Sequence, residues 1–195
     1  MKNTIFLLLL LLVSCSKDTI KNDSVFQLPP ETQTGANTFG VTINGKVYVP
    51  RDPTGNGGGL SSKGVTFWGT SDNSWNELEI KDGASTHGFK MIIHFHPLQT
   101  IGNYILKQSN FHNSIDSTPY DNIYFKIWDS SINNYSYYGS IDNQGEINII
   151  RLSNGIISGN FKGKFVRYDN PNEFIQITDG RFDINTTTLD TAIFP

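Results

Sequence analysis

Two histidines separated by one residue are the side chains in this sequence best placed to do chemistry. His94 and His96 flank Phe95, at the end of an alternating apolar stretch that begins at Phe89. Side chains two residues apart on a strand point to the same face, about 7 Å apart along the backbone, so both imidazoles would be able to bind one metal ion. A catalytic zinc needs a third protein ligand, which only the fold would supply, from His87, His112, Asp116 or Asp121.

A second interpretation makes the same histidines surface residues. If Phe95 faces the core, His94 and His96 face solvent together with Lys90 and Ile92 on the other side of the strand. The sequence therefore leaves two expectations open. One is a metal-dependent hydrolase that uses His94 and His96, and the other is a solvated strand face.

The other polar clusters favour structural roles. Glu77 and Glu79 share a strand face, where alternating charge predicts contact with solvent. The oxygen-rich segments 142–146 and 169–173 lack the spacing of a calcium loop and are typical of turns. There is no Gly-x-Ser-x-Gly elbow and no phosphate-binding loop with Gly-Lys-Ser/Thr. We predict no catalytic residue, no enzyme activity and no cofactor.

Aromatic and amide side chains are mixed in several places, most densely between Asn133 and Tyr138. Flat rings together with hydrogen-bonding amides suit the faces of sugars, and Tyr and Trp also anchor protein interfaces. The long connection from Gln108 to Asn122 is a second place to expect binding. The predicted ligand-binding residues are Trp68, Trp75, His112, Tyr120, Tyr135 and Tyr137. The expected partner is a glycan or a cell-envelope protein.

The N-terminus predicts export. Lys2 precedes an apolar run from Ile5 to Val13, which as a helix rises only about 14 Å and is too short to span a bilayer. Leu12-Val13-Ser14-Cys15 resembles the bacterial lipobox. That resemblance implies cleavage after residue 14, acylation of Cys15 (a palmitate-type lipid) and attachment to a membrane, most simply the outer membrane.

Composition and charge narrow the class of protein. The net charge is −3, which gives no electrostatic footprint for nucleic acid, and Cys15 is the only cysteine, so no disulfide forms within the chain. Polar and proline-containing residues 16–36 predict a flexible tether after the lipidated cysteine. We expect a domain from 37 to 184 and a C-terminal tail from 185 to 195.

The domain has the pattern of strands. Phe39, Val41 and Ile43 alternate with smaller or polar residues, and Asn44-Gly45 supplies a two-residue turn. About ten such short segments are separated by turn residues, and no segment has a helical period over ten residues. The sequence predicts an all-β fold, an antiparallel β-sandwich or β-barrel.

Two segments carry a resemblance to a known group of proteins. The opening Asn37-Thr38-Phe39-Gly40 with 44–50, and the close formed by 157–165 and 177–183, resemble a family of uncharacterised Bacteroidota-type lipoproteins. The resemblance spans about residues 37–184. It implies a β-rich cell-envelope domain with no known catalytic residues. A lipocalin-like carrier of an apolar ligand is a further alternative, and it predicts a roomy interior.

Overall fold

The computed structural model describes residues 26–55 and 63–195. Two short 3₁₀ turns, Ser114–Asp116 and Leu189–Thr191, are its helical elements in this part of the chain. None of the helices found there is long and apolar enough to cross a bilayer. The strands are β1 Thr38–Ile43, β2 Lys46–Tyr48, β3 Val65–Gly69, β4 Asn76–Lys81, β5 Lys90–Phe95, β6 Gly102–Ile105, β7 Asn122–Asp129, β8 Asn134–Ser153, β9 Ile156–Arg167 and β10 Asn170–Asn185.

All ten strands belong to one curled antiparallel sheet, which confirms the all-β prediction. The strands follow the order β2-β1-β10-β9-β8-β7-β5-β4-β3, and β6 pairs with part of β8. Most neighbours in the sheet are also neighbours in sequence, because short turns join antiparallel strands. The long-range exception is β1, which pairs with β10 and joins the two ends of the chain.

The first hairpin forms where the sequence predicts it. Asn44 and Gly45 have φ angles of 45° and 80°, the positive values that a type I′ turn requires at both central positions. The alternation in β1 then places Phe39, Val41 and Ile43 in the core, each no more than 2% exposed.

Strand β8 is longer than predicted. Asp142 to Gly145 predicted a turn between two short strands, but the chain continues and the ladder to β9 shifts register between Ser140 and Gly145. Asn143 takes a φ of 60° there, and its backbone N–H donates to the Leu106 carbonyl at 2.9 Å. The turn-forming residues therefore make a bulge that receives the end of β6.

Aromatic rings fill the space inside the curled sheet. Phe125 and Phe165 lie edge to face at 5.3 Å, and Phe39 lies 5.9 Å from Phe161. The interior that a lipocalin-like carrier would keep roomy is occupied by these side chains and their aliphatic neighbours. We call the opposite side of the sheet the outer face.

Residues assigned by sequence to the tether lie against the outer face of β10. The Asp183 carboxylate, buried to 1% exposure, accepts hydrogen bonds there. Its donors are the backbone N–H groups of Thr34, Gly35 and Ala36 and the hydroxyls of Thr32, Thr34 and Ser158. Farther upstream, Pro29 packs on Gly40, where a Cβ would lie 2.4 Å from the proline ring. The contacts of the described chain with the sheet thus begin well before residue 37.

The C-terminal segment also packs on the domain. Leu189 and Phe194 are buried, and the Phe194 backbone N–H donates to Asp52 at 3.1 Å. Part of the predicted tail therefore completes the core near β3.

Candidate functional site

Aromatic side chains line the outer face of the β7–β8 hairpin. The register places Trp128 opposite Tyr135 and Lys126 opposite Tyr137. Phe125, next to Lys126, is buried in the core, so the alternation of the strand turns the four side chains outward. We call Trp128, Tyr135 and Tyr137 the aromatic platform.

The platform side chains contact one another. The Trp128 and Tyr135 rings meet edge to face with centroids 5.3 Å apart, and the Lys126 ammonium lies 4.1 Å from the centre of the Tyr135 ring. Tyr137 remains 42% exposed. The cross-strand contacts hold two rings in place and leave the third largely open to solvent.

His87 extends the platform beyond the hairpin. Its ring stacks on Trp128 with centroids 3.6 Å apart and planes inclined by 13°. His87 belongs to the connection between β4 and β5, which Asp82 shapes by accepting hydrogen bonds from Arg51 Nε at 2.8 Å and from the Ser85 hydroxyl at 2.7 Å. Burial acts to raise the pKa of Asp82, but these hydrogen bonds outweigh it and hold the pKa below its ordinary value.

A cleft of about 440 Å³ opens beside His87. Tyr48 and Phe89 form an aromatic wall, with ring centroids 4.9 Å apart. The Arg51 guanidinium also lines the cleft and lies 5.2 Å from the centre of the Phe26 ring. The volume falls in the usual range for small-ligand sites, roughly 300–1,000 Å³.

Platform and cleft together combine two kinds of contact. Tyr137 offers an exposed ring beside the half-buried rings of Trp128 and Tyr135, while Arg51, Asp82 and Ser85, which hydrogen-bond to one another, hold polar atoms in fixed positions at the cleft. Sugars present apolar C–H faces edged by hydroxyls, so they need both.

The two histidines of the predicted metal pair have different surroundings. His94 is fully buried on β5, with Nε2 3.1 Å from the His112 carbonyl oxygen, and burial lowers its pKa to about 4. His96 lies beyond the end of β5, where its backbone N–H donates to Asp121 at 2.9 Å. Across 26–55 and 63–195, no three His, Cys, Asp or Glu side chains are grouped to hold a metal ion.

The alternative expectation, a solvated strand face, is wrong for part of this stretch. His94 and Ile92 are 0% exposed, and Glu77 on the neighbouring strand is 4% exposed. Glu77 accepts a hydrogen bond from the Ser114 backbone N–H at 2.5 Å, and its carboxylate lies 3.6 Å from His94 Nδ1. Burial raises the pKa of Glu77.

The connection between β6 and β7 covers these buried groups. Phe111 contacts Tyr168 and Tyr124, with ring centroids 4.9 and 6.1 Å away. It fits over Gly139, where a Cβ would lie 2.5 Å from the Phe111 ring. Packing of this kind requires glycine at 139 and explains why residues His112 to Ser114 reach Glu77 and His94.

The remaining predicted ligand-binding residues lie on other elements. Trp68 is on β3 at one end of the sheet and is 50% exposed. Trp75 precedes β4 and its buried indole N–H has no hydrogen-bond partner among the described residues. His112 and the 56% exposed Tyr120 lie in the connection before β7. Of the predicted set, the structure brings Tyr135 and Tyr137 together on the platform.

Most contributors to this site were not among the predicted ligand-binding residues: Trp128, Lys126, Tyr48, Phe89, Arg51, Asp82, Ser85 and His87, the last expected only as a candidate metal ligand. A signal for Lys126 existed, because a four-residue connection at 130–133 sets the register that pairs it with Tyr137. No signal in the sequence predicts the stack of His87 on Trp128, because the two residues lie 41 positions apart on different elements.

Cys15, the predicted lipidation site, lies outside the described residues, and acylation there stays a prediction. Comparison with family models, curated proteins and solved structures found no match.

Proposed function

We propose that this protein is a lipid-anchored cell-envelope domain that binds saccharide without catalysis. The aromatic platform beside the cleft carries the proposal. Three rings on adjacent strands, two of them fixed by mutual contact, face outward next to a set of hydrogen-bonding groups. Ordered rings next to fixed polar groups lower the entropic cost of binding, because fewer side chains must be immobilised.

The platform is tested by removing its rings. We would measure binding of full-length protein in detergent to dextran, xylan, laminarin and polygalacturonate by affinity electrophoresis. Trp128→Ala and Tyr137→Ala should each weaken binding at least about tenfold, since aromatic anchors carry much of the energy at such sites. Tyr137 is 42% exposed, so its variant is expected to fold normally.

Trp68→Ala is the matched control, because Trp68 is a 50% exposed tryptophan on β3, outside the platform. It should bind like the wild type. Loss of binding in Trp68→Ala alone would move the site to β3, and a wild type that binds none of the four polysaccharides would contradict the proposal.

The anchor rests on the lipobox-like segment that ends at Cys15. We expect the wild type to incorporate labelled palmitate and to fractionate with the outer membrane. Cys15→Ser should do neither, because the cysteine thiol is the acceptor. A Cys15→Ser variant that stays membrane-bound would show that the anchor lies elsewhere. Two or three acyl chains suffice for stable attachment, at about 0.8 kcal/mol per buried CH₂ group.

A further inference from the structure

We propose that the saccharide bound at the platform carries carboxylate or sulfate groups, which a row of three lysines recognises. This inference rests on the proposed function. The β4–β5 register places Lys81 opposite Lys90, and the β5–β7 register places Lys90 opposite Lys126. Lys126 in turn lies opposite Tyr137 of the platform. We call these three residues the lysine row.

Such a row is unfavourable for the protein alone. Directly opposed side chains on antiparallel strands lie about 5 Å apart, and like charges in that arrangement destabilise the sheet. The row is also unusual in a chain whose net charge is −3.

Two lysines of the row share one carboxylate, that of Glu79. Glu79 accepts ion pairs from Lys90 at 2.9 Å and from Lys81 at 3.4 Å. Lys126 contacts the Tyr135 ring, and in residues 26–55 and 63–195 no carboxylate lies within ion-pair distance of its ammonium. Among the residues that the structure describes, the positive charge of Lys126 is therefore in excess at the edge of the platform.

The surroundings of Lys126 make this excess costly. Its side chain is half-buried, and burial, followed by the charge of Lys90, lowers its pKa. A carboxylate or sulfate of a ligand would restore a charge-assisted hydrogen bond in a partly dry position, where such bonds are strongest. A sugar ring on the exposed Tyr137, which lies opposite Lys126, would place an anionic substituent within reach of the Lys126 ammonium.

The test compares charged and uncharged forms of the same polymer. Full-length protein in detergent would be titrated with polygalacturonate and its fully methyl-esterified form, and with dextran sulfate and dextran. We expect the charged member of at least one pair to bind about tenfold more tightly, and that pair identifies the anion as carboxylate or sulfate. Lys126→Gln should bring the ratio of the affinities for the charged and uncharged polymer close to one, and Lys126→Arg should keep the preference.

Lys164→Gln is the control, because the Lys164 ammonium also lies over an aromatic ring, 3.8 Å from the centre of Phe174, but on β9. It should retain the preference. Equal binding of charged and uncharged polymers by the wild type, or loss of the preference in Lys164→Gln, would overturn this inference and leave saccharide binding intact. Binding of none of these polymers, and of neither xylan nor laminarin, would overturn both proposals.

Discussion

Two carboxylates are buried on the outer face of the sheet, and their surroundings differ. Asp183 on β10 is 1% exposed and lies under residues 32–36, whereas Glu77 on β4 is 4% exposed and lies under the β6–β7 connection. Asp183 accepts hydrogen bonds from five residues, including Thr32, Gly35 and Ser158. Among the described residues, Glu77 accepts one hydrogen bond, from the Ser114 backbone N–H.

The two pKa values shift in opposite directions. Burial acts to raise both, but at Asp183 the hydrogen bonds outweigh it and lower the pKa to about 2. At Glu77 the effect of burial prevails and the pKa is raised. The comparison shows that the number of donors, and not depth alone, decides whether a buried carboxylate stabilises the fold.

The largest expected effect is at Asp183. Asp183→Ala leaves buried N–H and O–H donors without an acceptor and should lower the free energy of unfolding by about 3 kcal/mol at neutral pH, measured by urea denaturation. Asp179→Ala, which removes a more exposed carboxylate paired with Arg181, should cost only about 0–1 kcal/mol.

The dependence of stability on pH gives a second test of Asp183. Because the pKa of Asp183 is lowered, its stabilisation is present above pH 3.8 and is lost as the pH falls toward 2. The difference in the free energy of unfolding between wild type and Asp183→Ala should therefore become smaller as the pH falls from 3.8 toward 2. Equal losses in the Asp179 and Asp183 variants would mean that the donors do not matter.

An effect of similar size, which appears only in acid, is expected at His94. Its pKa of about 4 lies below the ordinary value of 6.5, so the stabilisation it gives is complete above pH 6.5 and is lost as the pH falls toward 4. Each pH unit in that interval should cost up to about 1.4 kcal/mol. Urea denaturation should show this loss in Glu77→Gln, a background without the neighbouring acid, and not in Glu77→Gln/His94→Gln. If the free energy of unfolding depended on pH in the same way in both variants, the loss could not be assigned to His94.

The smallest effect is expected at Glu77. A carboxyl whose pKa is raised contributes stability below pH 4.5 that is lost as the pH rises. Glu77→Gln can still accept from Ser114 and should therefore be more stable than wild type by about 1 kcal/mol at pH 7, with no gain at pH 4. Glu79→Gln, which loses ion pairs to two lysines, should be slightly less stable at pH 7. A destabilised Glu77→Gln would show that its charge is needed in the fold.

Local patterns in the sequence were sufficient to predict most of the strands. The alternation of Phe39, Val41 and Ile43 and the Asn44-Gly45 turn depend on neighbouring residues, and both formed as predicted. Asp142 to Gly145 misled the interpretation, because residues that favour tight turns also favour bulges.

The site depends partly on contacts between residues that are far apart in the sequence. The pairing of Trp128 with Tyr135 follows from a hairpin register and was within reach of the sequence. The burial of Glu77 was not, because it requires Ser114, 37 residues away. Apart from Ser158, the donors of Asp183 lie about 150 residues upstream, where composition suggested only a tether.

The packing of residues 28–36 on the sheet limits the reach of the proposed anchor. If Cys15 carries the lipid, ten residues, 16–25, separate it from Phe26, and a fully extended chain of ten residues covers at most about 35 Å. Phe26 itself lies at the cleft, with its ring against Arg51. The cleft would then stay within a few nanometres of the bilayer surface. Polysaccharide held in that thin layer, and not polymer free in the surrounding medium, would be the ligand it meets first.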